Sequence, residues 1–428
     1  MKSGTKAPEM EAALRRLEDA ATVLRDCSLQ ERLDGIGELL NRFGNPKTDW
    51  HRRLVDQTVQ TSGFSEEGIK TGLRMALADW NHSTLQALVG EELGSPDSLH
   101  YPTPMGHPRT SVILAGVIPM PNLLNTILPL VVGSPVIVKP SRGDPHTPNL
   151  IVECLSEIDP ELGRCIEVIS LKSADQEAMQ LLLRSPCVMA SGSDETMDQI
   201  RRQLSPDQTF IAYGHKFSIA IVDSSSLVEA ERREEIADAL SMDIALWDQL
   251  GCLSPAAIYV VGEQAHRTRL DLLDALAEKM AFRERAWPRG TTSNQTRADI
   301  RRERDEAEMR ATLPGGPELR GSPSSDWTVI AESGPDWRPT PLHRFVRLYP
   351  VTDLAELRAT LHPMRRHLSS VAVDGFPEGS VALEELIPTL QDLGFSRICR
   401  AGQLQTPPLS WPHDGQPVLL PLVRNHPS

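Results

Sequence analysis

The sequence predicts an α/β protein in which parallel sheets are covered by helices on both faces. From Thr110 onward, short apolar segments alternate with amphipathic stretches that have helical spacing. The apolar segments are continuous, which suits strands that are buried on both faces. At 428 residues the chain exceeds the usual size of one hydrophobic core, so we expect two domains.

The elements follow in order along the chain. The first hundred residues predict a layer of helices, because apolar residues recur at three- and four-residue spacing within residues 9–25 and 29–43. Helices can be drawn between the apolar segments that come next. The segments that predict strands are 111–116, 135–141, 165–170, 187–192 and 217–222.

Residues 111–138 carry no charge and match a membrane span in length alone. Their prolines, Pro119, Pro121, Pro129 and Pro135, divide them into pieces that are too short to cross a bilayer. We therefore expect a buried strand, a helix and a second strand here, and no integral membrane segment.

A second alternating block begins near Ser224. Residues 286–341 within it are rich in Pro, Gly, Ser and Arg around one charged helix, which predicts an excursion that adds little to the core. Regular structure resumes at residues 343–351. The other predicted elements are a long helical stretch over 224–250, a strand over 256–261, helices over 264–285 and 353–361, and a strand over 368–373.

The composition excludes several classes of partner. The formal net charge of -14 provides no overall attraction for nucleic acid or anionic lipid, so we expect neither as a partner. The six cysteines are dispersed without a CxxC pair, which argues against a structural zinc site, and no metal is expected. The opening residues lack the apolar stretch of a secretory signal, so a reducing cytoplasm is the expected location.

Cys252 is the candidate nucleophile. It follows Gly251 at the end of a predicted helix and precedes Ser254 and Pro255, which forbid continuation of that helix. A thiol on such a turn can be presented to a cleft, where neighbouring amides and cations favour the reactive thiolate. A buried structural cysteine is the alternative that the local sequence leaves open.

Two further segments predict nucleotide contacts at strand ends. An apolar strand ends at Lys139, and a lysine there can reach a ribose or phosphate, although a solvated lysine is the simpler reading. A second strand meets Gly192 and Ser193, where small residues free backbone amides for a phosphate. Ser193 before Asp194 is equally good chemistry for a plain helix cap.

Taken together, the order and spacing of these segments resemble the aldehyde dehydrogenase superfamily. Its pattern is a strand ending in K-P-S, a strand ending in G-S, a G-x-K segment and then the cysteine. This chain supplies Lys139-Pro140-Ser141, Gly192-Ser193, Gly214-His215-Lys216 and Cys252 in that order. The resemblance is closest to the acyl-CoA reductase branch typified by the fatty-acid reductase of bacterial bioluminescence (LuxC), whose D-Q-x-G-C-x-S-P tract is similar to residues 248–255.

The similarity runs from about residue 112 to the end and includes residues 397–415. It implies an aldehyde dehydrogenase-like fold with a Rossmann-like cofactor domain, an α/β catalytic domain and a small segment used in oligomerisation. The corresponding divisions are 1–223 for the N-terminal helices and the cofactor-binding domain, 224–395 for the catalytic domain, and 396–428 for a C-terminal segment that returns to the cofactor domain or to an oligomer interface.

The resemblance also implies a reaction. Cys252 attacks a long-chain fatty-acyl-CoA or other acyl thioester to form an enzyme thioester, which is reduced to the aldehyde. A carrier protein or a partner acyl-activating synthetase is an alternative donor, and a homo-oligomer is expected. Lys139 would hold the ribose, Ser141 would belong to the same cofactor loop, and Gly192, Ser193 and Gly214 would lie near the pyrophosphate.

Three departures from the family pattern bear on that reaction. Ala212 stands where hydrolytic members carry a glutamate that activates water, which favours survival of the thioester. Arg142 follows K-P-S where NAD-preferring members carry an acidic residue, and an arginine suits the 2'-phosphate of NADPH, although it also suits an exposed loop. Val117 replaces the asparagine whose amide donates to the oxyanion, a loss that can cost roughly a hundred- to thousand-fold in rate.

Several other residues could take over or modify the roles that these departures affect. Asn122, Asn125 or the backbone amide of Cys252 can take the place of the missing oxyanion donor. Met197 or a neighbour stands at the position of a second expected glycine. His413 could accept the thiol proton, although a histidine without a catalytic role is the favoured interpretation, and His215 is likewise expected to be a locally hydrogen-bonded or exposed histidine. A catalytically degenerate homologue, kept as a structural or binding subunit, is the competing hypothesis from another functional class.

Overall fold

A computed structural model of the protein describes residues 5–94 and 105–424. Residues 1–4, which open the stretch expected to lack a secretory signal, lie outside the described residues. The α-helices of the described part are α1 (Ala7–Asp26), α2 (Leu29–Gly44), α3 (Asp49–Ser62), α4 (Glu66–Ala76), α5 (His82–Leu93), α6 (Pro119–Val131), α7 (Thr147–Ile158), α8 (Pro160–Gly163), α9 (Gln176–Leu182), α10 (Asp194–Arg201), α11 (Ala230–Ala245), α12 (Ala265–Ala286), α13 (Asn294–Ala311), α14 (Leu354–Leu361) and α15 (Val381–Asp392).

The strands form two sheets. They are β1 (Thr110–Ile113), β2 (Val136–Lys139), β3 (Ile166–Val168), β4 (Cys187–Ser191), β5 (Thr209–Tyr213), β6 (Phe217–Asp223), β7 (Pro255–Val261), β8 (Glu318–Gly321), β9 (Thr328–Ala331), β10 (Phe345–Val351), β11 (Leu368–Asp374) and β12 (Arg397–Cys399). The predicted strands and the predicted helices α1, α2, α12 and α14 are confirmed within a few residues at each end.

The chain divides into two compact units, each made of separate stretches of sequence. Among the described residues, the first unit comprises 5–62, 76–94, 105–215 and 408–424, and the second comprises 63–75 and 216–407. The sequence placed the division after residue 223, whereas the strand Phe217–Asp223 pairs with strands of the second unit on both of its sides. Which unit binds a cofactor and which carries catalysis stays a prediction.

The first unit is built on a five-stranded parallel sheet in the order β3-β2-β1-β4-β5. Met10, Ala13 and Leu17 of α1 pack with Ile113 and Ile137 on one face of this sheet. Their spacing of three and four residues is the helical pattern that predicted α1. Alternate strand residues such as Val112 and Val138 are fully buried as well, so both faces are covered.

The second unit is built on a seven-stranded sheet in the order β12-β11-β6-β7-β10-β9-β8. Its pairs are parallel except for the antiparallel pair of β8 and β9. Apolar residues of α11 and α12 cover one face, which includes Ala220 and Ile258. Residues of α14 and α15 cover the opposite face, which includes Ile219 and Tyr259. The alternation along β6 and β7 therefore divides the core into two layers, as a parallel sheet buried on both faces requires.

The uncharged stretch 111–138 folds as predicted. It forms the end of β1, the helix α6 and the strand β2, with Pro119 and Pro121 in the first turn of α6, where a missing N–H costs little. No helix of the part of the chain that the structure describes is long and apolar enough to cross a membrane.

The prediction that residues 286–341 add little to the core was wrong. All residues of β9 are buried, and β9 pairs in parallel with β10, from Thr328 opposite Phe345 to Ala331 opposite Leu348. Ile330 of β9 also packs with Ile300 and Ala307 of α13. The strand has only four residues and is surrounded by Gly, Pro and Ser, so the local sequence did not reveal that it pairs within the sheet.

The predicted helical stretch over 224–250 is also shorter than expected. The helix α11 covers only Ala230–Ala245. Trp247, Asp248 and Gln249 then adopt a left-handed backbone, with φ of 54°, 49° and 63°. No glycine or proline marks this break, and side chains from elsewhere in the second unit hold it in place.

Candidate active site

The six residues predicted to bind a cofactor lie together at one edge of the first unit. In the five-stranded sheet, Ile113 of β1 lies opposite both Lys139 of β2 and Ala190 of β4, and Ser191 lies opposite Tyr213 of β5. The chain ends of these parallel strands therefore meet at the same edge, where ligands bind in open α/β sheets. The residues brought to this edge are Lys139, Ser141, Arg142, Gly192, Ser193 and Gly214.

Two cations stand at the end of β2. Burial and the positive charge of Arg142 lower the pKa of the Lys139 ammonium. Neither Lys139 nor Arg142 forms an ion pair with a carboxylate among the described residues. Two neighbouring cations without such a partner suit a phosphate or another anion.

Ser141 serves the loop that carries these cations. Its hydroxyl donates to the Gly116 carbonyl and accepts the N–H of Gly143 at 3.1 Å. A Cβ on Gly143 would lie 2.4 Å from Cγ1 of Val117, so Val117 packs directly against this loop. The K-P-S loop and the loop after β1 are thus fixed to each other, and Val117 fills space where the family carries an asparagine.

The helix α10 begins as a capped helix. The Ser193 hydroxyl accepts the N–H of Thr196 at 3.3 Å, so the reading of Ser193 as a helix cap is confirmed. The N–H of His215 donates to Oδ1 of Asp194 at 2.8 Å, and a Cβ on Gly214 would lie only 2.6 Å from that oxygen. Asp194 therefore joins the ends of β4 and β5. The sequence analysis treated it only as part of the cap, since nothing local reveals a partner beyond the helix.

Asn122 is held by the fold rather than left free. Its Nδ2 donates to Oδ2 of Asp144 at 2.8 Å, and Oδ1 of Asp144 accepts the N–H of Thr147 at 3.1 Å and its hydroxyl at 2.9 Å. All three residues are buried. The Asn122 amide thus organises the start of α7, whereas Asn125 and the backbone amide of Cys252 stay candidates for the oxyanion donor.

His413 lies in the first unit against the end of β5. Its ring stacks on Tyr213 with centroids 4.5 Å apart and an interplanar angle of 17°, and Trp411 lies 4.9 Å away on a tilted ring. His215, in contrast, has an exposed side chain, as predicted. A stacked ring is restricted in its rotation, so the position of His413 is set by aromatic packing.

Cys252 belongs to the second unit and lies on the turn before β7, as predicted. The residue is half-buried, unlike Cys154, Cys165 and Cys187, which are buried. Burial raises the pKa of each of those three thiols to about 12. The alternative of a fully buried structural cysteine therefore describes other cysteines of the chain and does not describe Cys252.

The residues before Cys252 shape its turn through buried polar contacts. Oδ2 of Asp248 accepts the N–H of Gly290 at 2.8 Å, and Oδ1 pairs with Arg344 at 2.6 Å. Gln249 donates through Nε2 to the carbonyls of Pro255 and Phe345, both at 2.9 Å, and accepts the N–H of Phe345 through Oε1 at 2.8 Å. These contacts hold the left-handed segment 247–249 in place, because a left-handed backbone in three consecutive non-glycine residues is otherwise costly.

Ser218 holds the turn on its other side. Its hydroxyl donates to the carbonyl of Cys252 at 2.7 Å and accepts the N–H of Ser370 at 3.2 Å. The register of β6 shifts at this point against both β7 and β11. Ser218 thus occupies an irregularity in the sheet that brings its side chain to the backbone of the candidate nucleophile. Sequence reasoning assigned Ser218 no role beyond a strand.

No group of three or more His, Cys, Asp or Glu side chains suited to a metal ion occurs within residues 5–94 and 105–424.

The architecture defines the class of protein. Solved aldehyde dehydrogenases share the fold: the NAD-dependent benzaldehyde dehydrogenase of Corynebacterium glutamicum superposes with a TM-score of 0.69 at 13% identity, covering 94% of this chain and 85% of that one. The Delta-pyrroline-5-carboxylate dehydrogenase of Mycobacterium tuberculosis gives a TM-score of 0.69 at 14% identity, covering 93% and 76%. The predicted aldehyde dehydrogenase-like fold is confirmed.

Residues 24–425 match the family model for Acyl-CoA reductase (LuxC), and the chain belongs to this family of oxidoreductases. It is similar to the long-chain acyl-protein thioester reductase of Aliivibrio fischeri, with 23% identity over 426 residues, 94% of this chain and 85% of that protein. The long-chain acyl-protein thioester reductase 2 of Photobacterium leiognathi is 23% identical over 390 residues, 87% of this chain and 77% of that protein. The resemblance inferred from the sequence is confirmed.

Proposed function

We propose that the protein reduces a long-chain acyl thioester to the aldehyde with NADPH, through a thioester on Cys252. The observation that carries the proposal is the half-buried thiol on a turn held by buried polar contacts, at the position where the family tract D-Q-x-G-C-x-S-P places its cysteine. A fixed and accessible thiol is what attack on a carbonyl requires.

The thiol acts in two stages. The thiolate of Cys252 attacks the carbonyl carbon of the donor and forms a new C–S bond. The C–S bond of the donor then breaks, and the departing thiolate takes up the proton that the Cys252 thiol gave up. The backbone N–H of Cys252 stabilises the oxyanion that develops in this step. Reduction of the acyl group then breaks the bond to Cys252, and the aldehyde leaves as the thiol is restored.

The edge of the first unit fits a nicotinamide dinucleotide. Lys139 and Arg142 stand at the end of β2 without a carboxylate partner among the described residues, which suits the ribose and the 2'-phosphate of NADPH. Gly192 and Ser193 would lie near the pyrophosphate, beside the start of α10, and Gly214 next to them. When bound, NADPH supplies the hydride for the reduction.

Ala212 supports reduction over hydrolysis. It lies on β5 as a half-buried alanine and offers no carboxylate to activate water. An acyl group on Cys252 would therefore persist until it is reduced or returned to a thiol.

The donor is either a fatty-acyl-CoA or an acyl group on a protein. The family description names acyl-CoA, whereas the similar curated proteins are named for acyl-protein thioesters. We therefore propose an acyl thioester as the shared chemistry, delivered by CoA or by an acyl-activating partner protein. The proposal extends to a homo-oligomer and to a reducing cytoplasm, which suits six cysteines that form no disulfide.

The reaction is tested by following NADPH absorbance with purified protein and a long-chain acyl-CoA, with direct detection of the aldehyde. Aldehyde formation that disappears in Cys252→Ala is the expected result. The same assay with an acylated carrier protein distinguishes the two donors. Folded protein that turns over no acyl donor would contradict the proposal.

Cofactor choice is tested at Arg142. Arg142→Ala should raise KM for NADPH about tenfold and leave KM for NADH nearly unchanged, because a charge-assisted contact to the 2'-phosphate is lost. Arg184, an exposed arginine of the same unit, supplies the matched control Arg184→Ala. If Arg142→Ala changes KM for NADPH and KM for NADH equally, Arg142 does not bind the 2'-phosphate and only supports the loop.

A catalytically degenerate homologue is the second candidate. It is favoured by Val117, which packs against Gly143 in place of an oxyanion donor, and by the commitment of Asn122 to Asp144. Failure of the protein to bind NADPH in a fluorescence titration would favour this alternative over the reductase.

A further inference from the structure

A loop that follows β12 folds around two ionisable side chains of the second unit, the buried Asp243 and the half-buried Arg397. The Asp243 carboxylate accepts the N–H of Gly402 at 2.7 Å and of Leu404 at 3.1 Å. The Arg397 guanidinium donates to the carbonyls of Leu404 at 2.8 Å, Gln403 at 2.6 Å and Thr406 at 3.0 Å. Asp243 thus accepts hydrogen bonds from N–H groups of the loop and Arg397 donates to its carbonyls, so the loop is fixed from both sides.

This arrangement presents Gln405 to the turn that carries Cys252. Gln405 is 4% exposed, and its Nε2 donates to the carbonyl of Asp243 at 3.1 Å and to the Ser254 hydroxyl at 3.0 Å. Ser254 is 2% exposed and its N–H donates to the carbonyl of Gly251 at 3.0 Å, which closes the turn around Cys252. Gln405 therefore binds the closing residue of the nucleophile turn to the end of α11.

We propose that Gln405 is a positioning residue for the nucleophile: through Ser254 it fixes the turn 251–254 and thereby the direction in which the Cys252 thiol points. The inference rests on the proposed role of Cys252. Ser218 holds the carbonyl of Cys252 from β6, and Gln405 holds the following residues from the loop after β12. The turn is thus held from both sides of the cysteine, and loss of either contact lets the thiol move.

The consequence is a split between binding and chemistry. A reacting atom displaced by a fraction of an ångström loses rate while the substrate still binds. Gln405→Ala should lower kcat about tenfold with KM nearly unchanged, because the buried Gln405 acts on the thiol through Ser254. The same substitution leaves the Ser254 hydroxyl and the Asp243 carbonyl without their buried donor, so the turn becomes more mobile.

Alkylation of the thiols tests the inference without relying on the reductase assay. Wild-type protein, Gln405→Ala, Ser254→Ala and the double variant are treated with iodoacetamide, and labelling of each cysteine peptide is followed by mass spectrometry. Cys252 should react about fivefold faster in either single variant than in the wild type, as expected for the loss of one hydrogen bond. The double variant should react no faster than either single variant, because both substitutions remove the same hydrogen bond. Additive effects, or an unchanged rate in Gln405→Ala, would overturn the proposal.

The controls separate local loosening from unfolding. Gln403 is exposed on the same loop, and Gln403→Ala keeps the backbone carbonyl that Arg397 binds. This variant should therefore change neither kcat nor the alkylation rate of Cys252. The buried thiols Cys154, Cys165 and Cys187 should stay unreactive in a folded variant. If Gln405→Ala exposes them, Gln405→Met, which fills the same volume without a donor, replaces it.

The two proposals fail in different ways. If Gln405→Ala and Ser254→Ala affect the alkylation rate of Cys252 non-additively but the protein reduces no acyl donor, the positioning role is supported and the reductase proposal is contradicted. Reductase activity with an unchanged kcat in Gln405→Ala and Gln405→Met would support the reductase and contradict the positioning role.

Discussion

Asp248 lies four residues before the candidate nucleophile, and its contacts serve the shape of the backbone. Its carboxylate binds a buried arginine, Arg344, and the N–H of Gly290, while its own φ of 49° lies in the left-handed region. Arg344, which has a φ of 64°, also pairs with Glu284 at 2.8 Å. Two left-handed segments are thus joined by one ion pair beside the nucleophile turn, and strain in each is offset by contact with the other.

Replacing Asp248 by asparagine should lower the free energy of unfolding by about 3 kcal/mol, because the variant leaves Arg344 buried with one carboxylate partner instead of two. Asparagine tolerates a left-handed backbone, so the effect isolates the charge. Denaturant unfolding measures the change. The exposed pair of Arg400 and Glu378 provides the comparison, and Glu378→Gln should cost less than about 1 kcal/mol. Equal costs would contradict this account of Asp248.

Asp243 makes the stability of the protein depend on pH. Burial raises the pKa of its carboxyl from 3.8 to about 7, against the opposing effect of the Gly402 and Leu404 amides and of Arg397. The folded protein therefore binds this proton more tightly than the unfolded chain does. The contribution of Asp243 to the free energy of unfolding is greatest below its unfolded pKa and falls as the pH rises to about 7.

Asp243→Asn should remove this dependence. The variant loses one of the two accepted N–H bonds, so it is less stable in absolute terms, but its free energy of unfolding should fall less between pH 4 and 7 than that of the wild type, by a margin on the order of a few kcal/mol. Denaturant midpoints at several pH values give the slope. The exposed Asp207→Asn is the control, and identical slopes in the wild type and Asp243→Asn would refute the assignment.

At the scale of elements, α4 reaches the nucleophile turn through a glycine. A Cβ on Gly72 would lie 2.3 Å from Cζ2 of Trp247, the first left-handed residue before Cys252. The indole of Trp247 also packs edge-on to Phe64, with centroids 5.9 Å apart. The helix and the turn therefore fit together only because Gly72 lacks a side chain.

Gly72→Ala should destabilise the protein by about 1–3 kcal/mol, since the indole of Trp247 must move. Gly90 in α5 has no atom within 4 Å of an added Cβ. Gly90→Ala should therefore stabilise the protein by about 1 kcal/mol through helix propensity alone. Thermal unfolding of the two variants measures the difference. A Gly72→Ala variant as stable as Gly90→Ala would show that the turn adapts without cost.

Regular elements with strong local patterns were predictable from the sequence, and elements defined by distant partners were not. The spacing of Met10, Ala13 and Leu17 predicts α1 without any neighbour. The strand β9 has only four residues, and its burial depends on pairing with β10. The left-handed segment 247–249 has no glycine to reveal it, and it depends on Arg344 and Phe345, which are nearly a hundred residues away.

The candidate site divides in the same way. Lys139, Gly192 and Gly214 follow apolar segments, and parallel strands bring their ends to one edge, so sequence order was sufficient to predict their neighbourhood. Ser218 and Gln405 lie in unremarkable contexts. The contact of Ser218 with the nucleophile turn comes from a shift in sheet register, and that of Gln405 comes from a loop that folds around Asp243 and Arg397. Neither feature leaves a local signal in the sequence.

At the scale of the whole molecule, the C-terminal stretch completes the first unit. Val418, Leu419 and Leu420 donate their N–H groups to the Glu92 carboxylate at 2.7, 2.7 and 3.0 Å, and Gly106 bridges to Val423. Leu419 and Leu422 are fully buried. A single carboxylate thus receives three consecutive amides and fixes the last part of the described chain.

Glu92→Gln should loosen this stretch, because an amide oxygen accepts these bonds more weakly than a carboxylate, by about 1–3 kcal/mol in all. Hydrogen exchange of residues 408–424 measures the effect, which should be confined to this stretch and its contacts. The exposed neighbour Glu91 supplies the control Glu91→Gln. Unchanged protection in Glu92→Gln would place the stability of the stretch in its buried leucines.

The interrupted make-up of the two units has a consequence for biosynthesis. The chain crosses between the units four times, and residues 408–424, at the end of the described chain, belong to the first unit. A nascent chain therefore displays the five-stranded sheet before the stretch that covers part of it has left the ribosome. The apolar surfaces that contact Leu419 and Leu422 stay uncovered while nearly the whole second unit is synthesised, and apolar surface exposed in this way favours aggregation and binding by chaperones.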